Sequence, residues 1–186
     1  MFPPHPTELA HLLLSSEIAE GDFAIDATAG NGYDSVFLAN AVGEKGKVAA
    51  IDIQAQAIEE TKARLASAGL LSRVSLHCDC HTKLRNVADG KSPSIVLFNL
   101  GFLPGSDRSV ITNADKTLLA IQAAAEILLP HGMLSIVCYP GHEGGDEESR
   151  HVEAYISKLA GFRSARYGMF NVGQPAPFLL MARKIK

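Results

Sequence analysis

The stretch Asp26-Ala27-Thr28-Ala29-Gly30-Asn31-Gly32-Tyr33-Asp34 has the residue types of a ligand-binding loop. Gly30 and Gly32 permit a tight turn and close backbone approach, and amides exposed where a helix begins can bind a polar ligand end. A Gly-x-Gly pair also fits an ordinary surface turn. Asp52 favours the ligand reading, because a carboxylate about 20 residues beyond such a loop meets a ribose diol across a crevice. Dinucleotides and S-adenosylmethionine both carry that diol. Ser35 stands where a dinucleotide fingerprint has its third Gly or Ala, and Asp26 and Asp34 flank the loop. Two carboxylates repel a pyrophosphate but suit the ammonium and sulfonium of S-adenosylmethionine. That cofactor is therefore expected, with Asp26, Gly30, Gly32, Asp34 and Asp52 around it.

Three further stretches could complete a site. His77-Cys78-Asp79-Cys80-His81 alternates its donors across a strand and has no second cysteine pair, so a metal cage is not expected. Asp79, Cys80 and His81 are read instead as groups around an adenine; the bland alternative makes Cys78 simply a small buried residue. Asn99-Leu100-Gly101-Phe102-Leu103-Pro104-Gly105 places a polar amide at the tip of an apolar run. The stretch resembles the Asn/Asp-Pro-Pro-aromatic loop of amine methyltransferases, with Leu100 and Gly101 in place of both prolines, and the resemblance implies that the amide oxygen accepts a hydrogen bond from a substrate amine while Phe102 stacks on the substrate; the bland alternative is a capped turn with Phe102 in the core. Tyr139-Pro140-Gly141-His142-Glu143-Gly144-Gly145 adds His142, which could steer or accept a proton or only hydrogen-bond locally.

Positioning these stretches requires strands that end where they begin. Phe23 to Ala27, Val48 to Ile53, Val74 to Cys78, Ile95 to Asn99 and Leu134 to Tyr139 are short, mostly apolar runs, as parallel strands covered on both faces should be. Helical spacing of apolar residues over Asp34 to Ala41, Ala55 to Ala68 and Ala114 to Leu129 fills the gaps, with Gly43, Gly69 and Gly132 as stop signals. Thr7 to Ser16 reads as an amphipathic helix that packs against or covers a site. Asp146 to Leu159 is a further helix, followed by β-like runs at Arg163 to Phe170 and Phe178 to Lys184. The short connection from Asn171 to Pro177 makes these two antiparallel neighbours. The fold class is α/β: a mainly parallel seven-stranded sheet closed by a C-terminal antiparallel hairpin.

Composition bounds the remaining choices. At 186 residues, 47% hydrophobic and 20% charged, the chain suits one globular domain, 1–186, with an N-terminal helical segment over 1–20. A net charge of −3 excludes a histone-like, non-specific DNA binder and confines any nucleic-acid contact to a local patch. The apolar runs are too short to span a membrane, the N-terminus lacks signal-peptide features, and Cys78, Cys80 and Cys138 make a poor disulfide framework. A cytoplasmic protein with reduced thiols is expected.

Taken together, these stretches resemble a bacterial family first described as rRNA methylases and now associated with tRNA 5-(aminomethyl)-2-thiouridine methyltransferase activity. The carriers are residues 26–34, Asp52-Ile53-Gln54, Cys80-His81, residues 99–105 and residues 139–145. The resemblance implies a Rossmann-like class I methyltransferase, with cofactor contacts at Asn31, Asp34, Asp52, Gln54, Cys80 and His81. Cys80 stands where Ser or Thr is expected, and Phe102 where the family often has Tyr. The implied reaction methylates the exocyclic amine of a modified wobble uridine in the tRNA anticodon region. Lys83, Arg85, Arg108, Arg163 and Arg166 would be the local cations for RNA. Methylation of rRNA, a small molecule or a protein, and a non-catalytic dinucleotide-binding module, are the competing readings. The sequence leaves homodimer formation open.

Overall fold

A computed structural model describes residues 4–101, 114–170 and 175–186. Its strands are β1 (Phe23–Asp26), β2 (Lys47–Asp52), β3 (Val74–Cys78), β4 (Ile95–Asn99), β5 (Met133–Cys138), β6 (Phe162–Tyr167) and β7 (Phe178–Lys184). Its helices are α1 (Pro6–Leu14), α2 (Tyr33–Ala41), α3 (Ala55–Ser67), α4 (Leu84–Ala88), α5 (Ala114–Ile127) and α6 (Gly145–Ile156), with short 3-10 turns at Leu71–Arg73 and His81–Lys83. The sheet order is β3-β2-β1-β4-β5-β7-β6. The first five strands run parallel and β7 is antiparallel to both β5 and β6. The expected hairpin is present, and β7 is inserted between β5 and the edge strand β6.

Alternation along the strands feeds two apolar layers. Ile25, Val96, Phe98, Leu134, Ile136, Phe178 and Leu180 pack with Leu84 of α4, Ile121 of α5 and Val152 of α6 on one face. Ala24, Ile95, Leu97, Val137, Leu179 and Met181 pack with Leu14 of α1, Leu38 of α2 and Leu65 of α3 on the other. Strands covered on both faces need apolar residues at successive positions, as the sequence of β4 and β5 shows. β6, with Arg163, Ser164 and Arg166 exposed, can only lie at the rim.

Helix α1 begins earlier than the Thr7 start expected from periodicity. Pro6 occupies the first turn, His5 Nδ1 accepts from the Thr7 amide at 3.3 Å, and Glu8 Oε2 accepts from the His5 amide at 3.2 Å. These contacts satisfy amides that a helix start leaves without intrahelical partners. Among the described residues, no helix is long and apolar enough to cross a membrane.

Candidate functional site

Parallel register brings the carboxyl ends of five strands to one edge. Asp26 ends β1, Asp52 ends β2 beside Cys78, Asn99 ends β4 beside Val137, and Cys138 ends β5. Chain direction across the sheet reverses between β1 and β4, and ligands of such folds collect in the crevice at that reversal. Thr28 bridges the crevice floor, its Oγ1 accepting from the Asn99 amide at 2.7 Å.

The glycine loop is held from three sides. The Gly30 amide donates to Asp52 Oδ2 at 2.9 Å, the Gly30 carbonyl accepts from Thr61 Oγ1 at 3.0 Å, and the Asn31 carbonyl accepts from Arg64 Nε at 2.6 Å. The Arg64 guanidinium also lies 3.7 Å from the centre of the Tyr33 ring. Gly32 caps α2 with φ +80°, and a Cβ there would lie 2.8 Å from Thr61 Cα. Only glycine serves both the left-handed turn and the approach of α3. Asp52 Oδ1 accepts from the Gln54 amide at 2.9 Å, so this carboxylate clamps the loop to the start of α3 while each oxygen keeps a further lone pair.

Asp26 lies beneath the loop, fully buried. Its Oδ1 accepts from the Thr28 amide at 3.2 Å and its Oδ2 from the Ser35 hydroxyl at 2.6 Å. Burial pushes its carboxyl up to about 7, with the Asp34 charge adding to the rise and the Ser35 and Thr28 donors opposing it. Asp34, also buried, has both oxygens engaged: Oδ1 with His11 Nε2 at 2.6 Å and Oδ2 with Asn99 Nδ2 at 3.1 Å. Asn99 Oδ1 is buried without a hydrogen-bond partner among the described residues. Beside it, burial raises the Tyr139 hydroxyl above its ordinary range against the pull of Thr7 and the Asn99 amide; Thr7 Oγ1 and that hydroxyl are 3.3 Å apart.

On the β3 side, Cys80 precedes the 3-10 turn and is half-buried, and its amide donates to Asp79 Oδ1 at 2.7 Å. His81 meets Phe98 edge-on, and burial holds its imidazole down at about 4, against a hydrogen bond with the Lys116 backbone. It is neutral at physiological pH, and its Nε2 is buried without a partner among the described residues. Cys78 is exposed, so the bland alternative of a small buried residue does not hold. On the β5 side, His142 Nδ1 donates to the Glu143 carbonyl at 2.9 Å. Gly101, at φ +132°, brings the end of β4 against this loop: a Cβ there would lie 3.6 Å from Tyr139 Cβ and 3.7 Å from His142 Nε2.

The expected residues Asp26, Gly30, Asn31, Gly32, Asp34, Asp52, Gln54, Cys80, His81, Asn99 and His142 thus gather on one edge. Phe102 and Arg108 lie outside the described residues. Among the cations named for RNA, Lys83 and Arg163 are exposed, Arg85 is ion-paired with Glu126, and Arg166 pairs with Glu153 at 2.9 Å while lying over Phe178. Sequence reasoning missed His11, Thr28, Ser35, Thr61 and Arg64. Thr7 and His11, four residues apart on α1, face the site together, and that spacing was the available signal.

The model of a family described as "Putative rRNA methylase" matches residues 48–183. A model of protein-L-isoaspartate(D-aspartate) O-methyltransferase matches residues 4–88, the half that carries the glycine loop. An Arabidopsis thaliana protein named chloroplastic tRNA (mnm(5)s(2)U34)-methyltransferase is 43% identical, aligning 82% of this chain with 59% of its own length. The chain therefore spans about three fifths of that relative. A crystal structure described as a "putative rRNA-methylase" of Clostridium thermocellum superposes with a TM-score of 0.95 at 34% identity, covering 100% of both chains. A Streptococcus mutans "putative methyltransferase" solved with SAH superposes at 0.88 and 36% identity, covering 97% of this chain and 98% of that one.

Proposed function

From the premise that this chain belongs to the methylase family whose model spans residues 48–183, we propose that it is an S-adenosylmethionine-dependent methyltransferase. Its proposed acceptor is the exocyclic amine of a 5-aminomethyl-(2-thio)uridine at the wobble position of tRNA. One observation carries the acceptor: Asn99 Oδ1 is a buried hydrogen-bond acceptor with no partner among the described residues, at the crevice between β1 and β4. Leaving such a group unmet costs about 1–3 kcal/mol, a cost relieved by a ligand that brings an N–H donor. The name of the Arabidopsis relative supports a tRNA wobble uridine as the source of that amine.

The residues present fit the cofactor. Asp52 retains lone pairs for ribose hydroxyls. Asp26 and Asp34 lie where the cationic methionyl end would sit, Asp26 holding a proton that it would release when a cation binds, and the buried Nε2 of neutral His81 suits a polar edge of the adenine. When bound, S-adenosylmethionine supplies an electrophilic methyl group. The chain's own residues align the amine: Asn99 Oδ1 accepts one amine N–H and so directs the nitrogen lone pair, and His142 at the β5 edge would steer the substrate or take up its proton. No nucleophilic side chain is required.

The test is transfer of labelled methyl from S-adenosylmethionine offered to three pools: tRNA lacking the wobble methyl group, free metabolites and protein. Label entering the tRNA pool alone is expected. Label confined to metabolites or protein would overturn the substrate, and measurable NADH affinity with none for S-adenosylhomocysteine would overturn the cofactor.

A further inference from the structure

Helix α1 delivers a histidine to the acceptor side of the crevice. The His11 imidazole is stacked on Phe37, with ring centroids 4.0 Å apart and planes 7° apart, and its Nε2 lies 2.6 Å from Asp34 Oδ1. Asp34 is 4% exposed, and its other oxygen accepts from Asn99 Nδ2 at 3.1 Å. An ionised carboxylate only accepts hydrogen bonds, so the nitrogen side of the Asn99 amide must face it and Oδ1 must face away. By the same rule His11 Nε2 must carry a hydrogen. Each member of the chain therefore fixes the donor or acceptor state of the next.

We propose that His11 and Asp34 are positioning residues for methyl transfer, the His11–Asp34–Asn99 chain holding the Asn99 amide so that Oδ1, not Nδ2, meets the substrate amine. The two ends of an asparagine amide are nearly the same size, so packing alone discriminates poorly between them. Turned the wrong way, Oδ1 would oppose the Asp34 carboxylate and Nδ2 would present hydrogens to the N–H of the amine. His11 keeps Asp34 in place by donating to the oxygen that Asn99 does not use. The capped first turn of α1 and the Thr7–Tyr139 contact hold the helix that carries it. The proposal rests on the preceding reading only for what Oδ1 receives; the orientation of the amide is a property of the chain alone.

Two substitutions separate donor from packing. His11→Phe keeps a ring for Phe37 and loses the donor, whereas His11→Gln keeps an N–H donor and loses the ring. His11→Phe is expected to slow single-turnover methylation about tenfold with S-adenosylhomocysteine affinity within about twofold of wild type, and His11→Gln to recover most of the rate. A second readout needs no substrate. The Asn99 side-chain amide protons, identified by NMR as the pair absent from Asn99→Asp, should exchange slowly in wild type and His11→Gln and faster in His11→Phe. A His11→Phe protein equal to wild type, or better than His11→Gln, would overturn the proposal, as would cofactor affinity falling in step with rate. A wild-type protein inactive on every tRNA would overturn the substrate reading, and the order of amide exchange would still decide this one.

Discussion

Replacing Asp52 by Asn tests whether one carboxylate both clamps the glycine loop and serves the cofactor. Asp52 receives two backbone amides, Gly30 on Oδ2 and Gln54 on Oδ1, each at 2.9 Å. An asparagine of the same size offers one carbonyl oxygen, so one amide must face an NH2 group instead. Losing a charge-assisted hydrogen bond in this half-buried setting costs about 1.5–3 kcal/mol. In a chain of this size each kcal/mol moves the melting temperature by about 2–4 °C, so the free protein should melt roughly 3–12 °C lower. The ribose hydroxyls lose a charged acceptor at the same place, and S-adenosylhomocysteine affinity should fall about ten- to a hundredfold. Differential scanning calorimetry of the free protein and isothermal titration with S-adenosylhomocysteine measure the two effects separately. An unchanged melting temperature with weakened binding would make Asp52 a ligand without a clamping role. A lowered melting temperature with unchanged affinity would refute the ribose contact.

Gly32→Ala should fail more severely than other loop substitutions, because it combines left-handed strain of about 1–2 kcal/mol with a Cβ 2.8 Å from Thr61 Cα; melting and cofactor titration should both show the loss, and a stable variant with normal affinity would contradict it. Asp26 gives a pH signature. Its carboxyl is raised from 3.8 to about 7, so the native state holds a proton that the unfolded chain releases, and the stability this contributes is present below pH 4 and lost as pH rises towards 7. Asp26→Asn should remove that part of the slope in denaturation curves of the free protein, and a slope that is unchanged would count against the assignment. A cationic cofactor beside the same cluster should release protons on binding near pH 7, seen as a binding enthalpy that varies with the ionisation heat of the buffer; a buffer-independent enthalpy would contradict it. Asn99→Ala should cut the single-turnover rate far more than S-adenosylhomocysteine affinity, and parallel losses would reduce Asn99 to a scaffold residue.

Much of the edge that carries the site is legible in the sequence because strand ends and turn residues leave local marks. β3, β4 and β7 lie where their apolar runs place them, and the spacing from Gly32 to Asp52 identifies a carboxylate that the structure sets against the loop. The place of β7 inside β6 had a signal in composition: Phe178 to Ala182 is an unbroken apolar run suited to burial on both faces, whereas Arg163 and Arg166 mark β6 as a rim strand. Helix α4 escaped notice because five residues are too few to show a helical period. The His5 cap was hidden by chemistry, since histidine is not among the preferred capping residues, although Pro6 marked the first turn. His11 shared a helix face with Thr7, but its role was not legible, for a tertiary reason. Its partner Asp34 is 23 residues away, and only the packing of α1 over the crevice brings them together. The three-sided hold on the loop by Asp52, Thr61 and Arg64 depends likewise on how α3 crosses the sheet edge.

Nucleoside analysis of the reacted RNA decides whether this chain methylates the amine of a wobble uridine, as proposed. tRNA lacking the modification is incubated with the protein and S-adenosylmethionine, digested to nucleosides and resolved by mass spectrometry. 5-Aminomethyl-(2-thio)uridine should be consumed and its N-methylated form should appear in equal amount, with no other nucleoside changed. A methyl group found on any other base or on ribose, with the 5-aminomethyl nucleoside intact, would contradict it.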